Sequence, residues 1–315
     1  RAYDKLKGCV FMRSEKEMID LILDTARKDE RIRAVYMNGS RTNPNAPKDL
    51  FQDYDIVYVV RETLPFIKDT TWIDRFGERL YMQLPEQTGL LLGYEADLAN
   101  CYGWLMQFTD GNRIDLHVQS IPYAQQAIRT DRLCKILLDK DGLLPAMPAP
   151  TDADFWVKKP DSAHFLAVCN EFWWCLNNVA KGLWREEIPY VQEMLHAVER
   201  PQLVQMLAWK IGLEHDFSVS IGKAGKYLRR FLTQADWNAF LSTYASGALA
   251  EMWAATVSMC RLFDRTAREV AQKLHYPYDE QEAENSFQYL LHVQRLPKGV
   301  SAIDDLQKIE IKNSL

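Results

Sequence analysis

Two aspartates one residue apart, Asp53 and Asp55, stand at the mouth of an apolar run in VYMNGSRTNPNAPKDLFQDYDIVYVV, residues 35–60. Carboxylates so close repel one another unless a cation lies between them. On a strand, residues two apart share a face and sit about 7 Å apart along the chain, so Asp53 and Asp55 should project side by side while Tyr54 points away. A later acid, Asp115 in RIDLHV, would complete a cluster if its strand lay alongside. Three carboxylates converging from two strands can hold two Mg²⁺ ions roughly 3.5–4 Å apart. An all-oxygen ligand set favours a hard cation such as Mg²⁺ over zinc. The expected cation is therefore magnesium carrying a nucleotide triphosphate.

The turn Gly39-Ser40-Arg41 upstream fits that reading as a phosphate cradle. Gly39 lets the backbone approach closely, Ser40 offers its hydroxyl and amide to a phosphate oxygen, and Arg41 can neutralise developing charge. Phosphoryl and nucleotidyl transfer ask for positioning and charge stabilisation, which such a site can supply. A lone D-x-D is usually a solvated strand end; its company with Gly-Ser-Arg before it and RIDLHV after it turns the balance towards a metal site. Arg113 and His117 share the expected face of Asp115, where either can also simply cap the sheet.

The elements that must position these residues follow from periodicity. SEKEMIDLILDTARKDERI opens with Ser14 and has Glu17 three residues on, a capping-box pattern that predicts a helix to about Lys28. IRAVYMNG reads as a strand closed by Asn-Gly, and DYDIVYVV as a mostly apolar and hence central strand. A loop and short helix are expected in TLPFIKDTTWIDRFG, then a strand in RLYMQLP. GWLMQFTDGNRIDLHVQSI carries two apolar-rich runs around Asp110-Gly111-Asn112 and predicts a β-hairpin. From AHFLAVCNEFWWCLNN onward alternation gives way to helical periods. Four prolines between Leu144 and Asp161 mark the join. The fold class expected is α+β: an N-terminal mixed β-sheet flanked by helices over 12–148, then an all-α helical bundle over 149–296.

At 315 residues, with 47% of them hydrophobic, the chain has ample material for two packed cores. Its net charge of −5 argues against a protein that grips a long nucleic-acid backbone and suits a cationic small-molecule partner. Six scattered cysteines with no C-x-x-C pair indicate neither a zinc site nor a disulfide scaffold, which points to a reducing cytoplasm. No apolar segment has the length of a membrane span. Residues 1–11, which precede Met12 and its helical pattern, are set aside as a candidate expression leader, and the polar tail over 297–315 is expected to fray.

The arrangement Gly39-Ser40, a gap, Asp53-x-Asp55 and a later strand carboxylate resembles the DNA polymerase β-like nucleotidyltransferase superfamily. More narrowly, MNGSRTNPNAPKDLFQDYDIVYVV, NRIDLHV, EFWWCLNNVAKGLWREE and WKIG are similar to the aminoglycoside 6-adenylyltransferases, also called streptomycin adenylyltransferases. The resemblance extends from Met12 to about Leu296. It implies that ATP and Mg²⁺ bind in a cleft between the nucleotidyltransferase domain and the helical domain, and that AMP passes to a hydroxyl of streptomycin with release of pyrophosphate. It also implies that Asp53 and Asp55 hold metal, with Asp115 as a metal ligand and as the group that takes the proton of the attacking hydroxyl.

Other candidates are less specific. Recognition of a guanidinium-bearing sugar requires carboxylates, and the family resemblance places them in the helical half, where Glu187, beside Glu186, and Glu171 are available. Glu95 and Asp97, ahead of the hairpin, could line the acceptor side. Lys181, Lys210 and the basic run GKAGKYLRR with Lys223 and Lys226 are candidates for the triphosphate tail, although such runs are usually wet helix faces. Trp173 and Trp174 read as helix core before ring-stacking surface. Competing readings are a nucleotidyltransferase of the same core acting on a protein or an RNA end, and a non-catalytic nucleotide-binding module. The oligomeric state is not legible.

Overall fold

The structure, a computed structural model, describes residues 11–300. The leader and tail set apart above lie outside the described residues except for Phe11 and residues 297–300. Two compact units divide the chain between Asp154 and Phe155.

The first unit is built on a six-stranded sheet of order β3-β4-β5-β2-β1-β6. Its strands are β1 (Ile32–Asn38), β2 (Tyr54–Val60), β3 (Arg79–Gln83), β4 (Cys101–Phe108), β5 (Arg113–Ser120) and β6 (Cys134–Asp139). All neighbours are antiparallel except β2 and β5, which run parallel. β2 is central, as its apolar run predicts, and the expected hairpin is β4–β5, with Gly111 at φ +89° in the turn. β6 has no counterpart in the sequence reading, because CKILLD is short and only Cys134 is fully buried.

Helix α1 (Glu15–Lys28) starts on the expected capping box, the Ser14 side chain and Glu17 satisfying each other's backbone amides. It buries Met18 and Ile22 against one sheet face, with Ile56, Tyr58, Leu116 and Val118 beneath. Trp72, in a 3₁₀ turn (Trp72–Phe76) after α2 (Leu64–Lys68), packs edge-on to Phe66, Phe76 and Trp104. Such ring pairs contribute about 0.5–1.5 kcal/mol each beyond their buried area. Just before α1, Arg13 donates to Asp110 in the hairpin turn at 2.6 Å and to the carbonyl of Phe76. Burial alone would raise Asp110, but the hydrogen bonds from Arg13 and Asn112 outweigh it and hold the carboxyl at about 2.

The opposite face is covered by α4 (Ile121–Ala127), which follows β5 directly. Ala124 and Ile128 pack there on Tyr36, Val57 and Val59. Asp55 alternates onto this same face. Because α4 begins where β5 ends, it packs against β5 and β2.

The second unit is helical: α5 (Ser162–Arg185), α6 (Ile188–Glu193), α7 (Arg200–Glu214), α8 (Leu228–Phe231), α9 (Gln234–Leu241), α10 (Leu249–Leu274) and α11 (Glu280–Arg295). A π-helical turn, Met194–Glu199, joins α6 to α7. The long helices bury one continuous core in which Phe172 and Phe263 stack at 3.8 Å. Trp173 is buried and donates to Tyr278, whereas Trp174 is exposed. No helix among the described residues is long and apolar enough to cross a membrane.

Candidate active site

Asp53, Asp55 and Asp115 converge. One carboxylate oxygen from each lies within 4.8 Å of the other two. The parallel register of β2 on β5 produces this meeting, since it sets Asp55 directly beside Asp115. Asp53 stands one residue ahead of β2, so it reaches the same point from the incoming loop. On the other side of β2, Asn38 ends β1 opposite Asp55, which delivers the next residue, Gly39, to the cluster.

Gly39 is there for two physical reasons. Its φ of +77° is a left-handed conformation, and a Cβ at this position would lie 1.9 Å from Asp55 Oδ2. The turn is pinned by the Gly39 amide, which donates to Leu133, and by Thr42, which donates to the Gly39 carbonyl. The Ser40 hydroxyl accepts from Gln52 at 3.3 Å. Arg41 is held inside the unit: it donates to the carbonyls of Asp53 and Gln52 and lies 3.7 Å over the Tyr54 ring. In this arrangement its guanidinium braces the loop that carries Asp53.

Negative charge is crowded at the cluster. Burial, then the charges of Asp53 and Asp115, push the Asp55 carboxyl up to about 7, with Arg113 opposing. Arg113 is the local counter-ion: it grips Asp115 through two hydrogen bonds of 2.7 and 2.6 Å and lies 3.9 Å from Asp53. Three oxygen donors at this separation could hold a hard divalent cation. His117, two residues beyond Asp115, is buried enough to be pushed below its ordinary value despite Glu86 and Asp115 nearby.

Beside this cluster stand residues that the sequence reading passed over. Glu86, on α3 (Pro85–Leu91), accepts a hydrogen bond of 2.8 Å from the amide of Gly103 on β4. The signal was Gly103 itself, because a glycine within a strand often marks a close approach. Glu95 and Asp97 are exposed in the loop before β4, where Asp97 accepts from Asn100.

In the helical unit the named residues are dispersed. Lys210 is tied to Asp236 at 3.1 Å and Glu269 at 2.8 Å, joining α7 to α9 and α10. Lys181 is half-buried on α5, and Lys223 and Lys226 are exposed, the latter near the Tyr227 ring. Glu187 lies 3.9 Å from Arg185, and Glu171 is exposed beside Cys175.

Residues 12–293 match a family model described as streptomycin adenylyltransferase. The aminoglycoside 6-adenylyltransferase of Bacillus subtilis (strain 168) is 39% identical over 270 residues, covering 85% of this chain and 94% of that protein. The protein of the same description from Campylobacter jejuni is 39% identical over 267 residues, covering 85% and 91%. A crystal structure of an aminoglycoside 6-adenyltransferase from Bacillus subtilis aligns at 34% identity over 90% of this chain and 100% of that one, with a TM-score of 0.45.

Proposed function

The chain belongs to the streptomycin adenylyltransferase family, and from that premise we propose that it moves the adenylyl group of ATP onto the 6-hydroxyl of streptomycin, inactivating the antibiotic in the cytoplasm. Its activity class is aminoglycoside adenylyl transfer. The observation that carries the reading is the meeting of Asp53, Asp55 and Asp115 within 4.8 Å.

The three carboxylates would hold Mg²⁺, with two ions as the expected number. Bound there, the divalent cation neutralises triphosphate charge and acidifies a nearby hydroxyl. Asp115 takes the proton from the acceptor hydroxyl at one carboxylate oxygen. The acceptor oxygen then bonds to the α-phosphorus of ATP as the bond from that phosphorus to the pyrophosphate oxygen breaks. Arg113 is bound to both Asp115 oxygens in this structure, so it must release at least one before Asp115 can act; being half exposed, it is free to turn towards the triphosphate. Gly39 and Ser40 shape the turn beside the cluster, and Arg41 keeps the Asp53 loop in place.

The reading assigns recognition of the cationic acceptor to acids, with Glu95, Glu171 and Glu187 as candidates. Lys181, Lys210 and Lys226 remain candidates for the nucleotide, Lys210 only if its ion pairs open.

Pyrophosphate release tests the proposal. The protein is incubated with ATP and Mg²⁺ and a panel of streptomycin, other aminoglycosides, transfer RNA and a protein mixture. Release with streptomycin alone supports it; release with RNA or protein and none with any aminoglycoside overturns it. Replacing Asp53 or Asp55 with Ala should abolish turnover while leaving the circular dichroism of the fold intact.

A further inference from the structure

The face that bears the three aspartates continues along β4 and β5 to a second polar pair, Glu86 and His117. In register, Leu105, Asp115 and Asp55 form one row across the strands, and Gly103, His117 and Val57 form the next but one. Asp115 and His117 therefore point the same way, about 7 Å apart along the strand. The imidazole leans across β4: a Cβ on Gly103 would meet His117 Nε2 at 2.6 Å. Gly103 has an ordinary backbone conformation, so what its missing side chain provides is room for the ring.

Glu86 reaches the same place from the other side. β3 ends at Gln83, opposite Leu105, so the amide of Gly103 has no strand partner there and donates to Glu86 Oε2 instead. The other oxygen, Oε1, is 4.0 Å from His117 Nε2, outside hydrogen-bond range. Among the described residues no lysine or arginine pairs with this carboxylate. It is only 18% exposed. A largely desolvated acid with one anchored oxygen and one unused one is incomplete, and a cationic donor would complete it.

We infer that Glu86 is a specificity-determining residue that binds a protonated amino or guanidino group of the acceptor, through the oxygen it directs towards His117. The inference rests on the proposed aminoglycoside activity and adds the group that orients the substrate. A cation held at Glu86 places the rest of a polycationic sugar along the face leading to Asp115, where the hydroxyl must arrive. His117 walls this seat, and Gly103 keeps it open by supplying the amide and the space. Glu86 handles acceptor alone and takes no part in holding the triphosphate.

The variant E86Q keeps the bond from the Gly103 amide and removes the charge, whereas E86D keeps the charge and shortens the arm. Steady-state kinetics with streptomycin and ATP, and calorimetric titration of streptomycin into nucleotide-free protein, read the effect. E86Q should raise KM for streptomycin and weaken its direct binding by about tenfold or more, with KM for ATP within about twofold of wild type. E86D should fall between wild type and E86Q. Binding by E86Q equal to wild type, an equal rise in KM for ATP, or E86D binding more weakly than E86Q would each overturn the assignment; the last would show that the arm bracing Gly103 matters and the charge does not. If E86Q does not fold, the comparison of E86D with wild type decides: unchanged streptomycin binding overturns the assignment. Wild-type protein that adenylylates no aminoglycoside would instead remove the underlying activity, a result seen before any variant is made.

Discussion

A methyl group on Gly39 would lie 1.9 Å from Asp55 Oδ2, so the turn after β1 and the central carboxylate of the cluster share one volume. The G39A variant must push Asp55 aside and also strain a backbone at φ +77°, a penalty of about 1–3 kcal/mol. The expected outcome is a folded protein with a modestly lower Tm and turnover reduced about a hundredfold, as displacing a carboxylate of the proposed metal site by an ångström would produce. Wild-type turnover in G39A would separate Asp55 from the chemistry.

Asp55 sets a pH dependence. Its carboxyl is raised by burial, and by Asp53 and Asp115, to about 7, against about 3.8 in the unfolded chain. The metal-free folded protein thus keeps a proton there that the unfolded chain has lost. Stability without metal should fall as the pH rises from about 4 to 7 and then level off. Metal binding needs the carboxylate, so Mn²⁺ or Mg²⁺ affinity should improve about fivefold from pH 6 to pH 7, about twofold more by pH 8 and little beyond. Calorimetry in buffers of different ionisation enthalpy should show a proton released on binding below pH 7, and none above pH 8.

Arg113 competes with any cation for Asp115. The arginine of that pair is half exposed, so the pair is worth about 1 kcal/mol. Removing it as R113A should tighten Mn²⁺ binding to the nucleotide-free protein roughly fivefold. The metal-free protein should melt earlier, because three acids then face one another uncompensated. Weaker metal binding in R113A would mean that the arginine organises the ligands and does not oppose the ion.

Arg41 braces the loop before β2 through two carbonyls and the Tyr54 ring. Lysine cannot reproduce a planar fork stacked on a ring. R41K should therefore lower stability by about 1–2 kcal/mol and lower metal affinity together, through the position of Asp53. A change in KM for ATP alone, with unchanged Tm, would instead identify Arg41 as a phosphate ligand.

Glu199 ends the π-helical turn fully buried, and neither carboxylate oxygen has a hydrogen-bond partner. Burial, assisted by the charge of Glu171, raises its pKa well above the ordinary 4.5. The folded protein holds this proton after the unfolded chain has released it, so the group contributes nothing below about pH 4.5 and destabilises progressively above it. E199Q should be more stable than wild type at pH 8 in urea titrations, with the gap closing towards pH 4.5. A gap that does not change with pH would show that the carboxyl is not the cause.

The candidate metal ligands were legible because chemistry of this kind leaves a local mark. Asp53 and Asp55 fall at the start of a run whose apolar alternation identifies the strand, and RIDLHV shows by the same period which way Asp115 points. Arg41, read from its place in a Gly-Ser turn as a candidate phosphate ligand, also donates to two carbonyls of the loop before β2, a bracing contact that no local pattern records. Glu86 was passed over because its meaning depends on where β3 stops, which no local pattern records. β6 was passed over because its side chains are only partly buried and its alternation is weak.

The sequence by itself determined the elements, the change from strand to helix periods after the proline-rich join, and the three acids that could bind a cation. Those properties depend on residues a few positions apart. Only the tertiary structure decided that β5 lies parallel to β2 with Asp115 beside Asp55, that Arg113 fills the charge gap, and that Glu86 and His117 extend the same face. Strand pairing joins residues sixty positions apart, and its register is chosen by the packing of both sheet faces at once, which is a property of the whole unit.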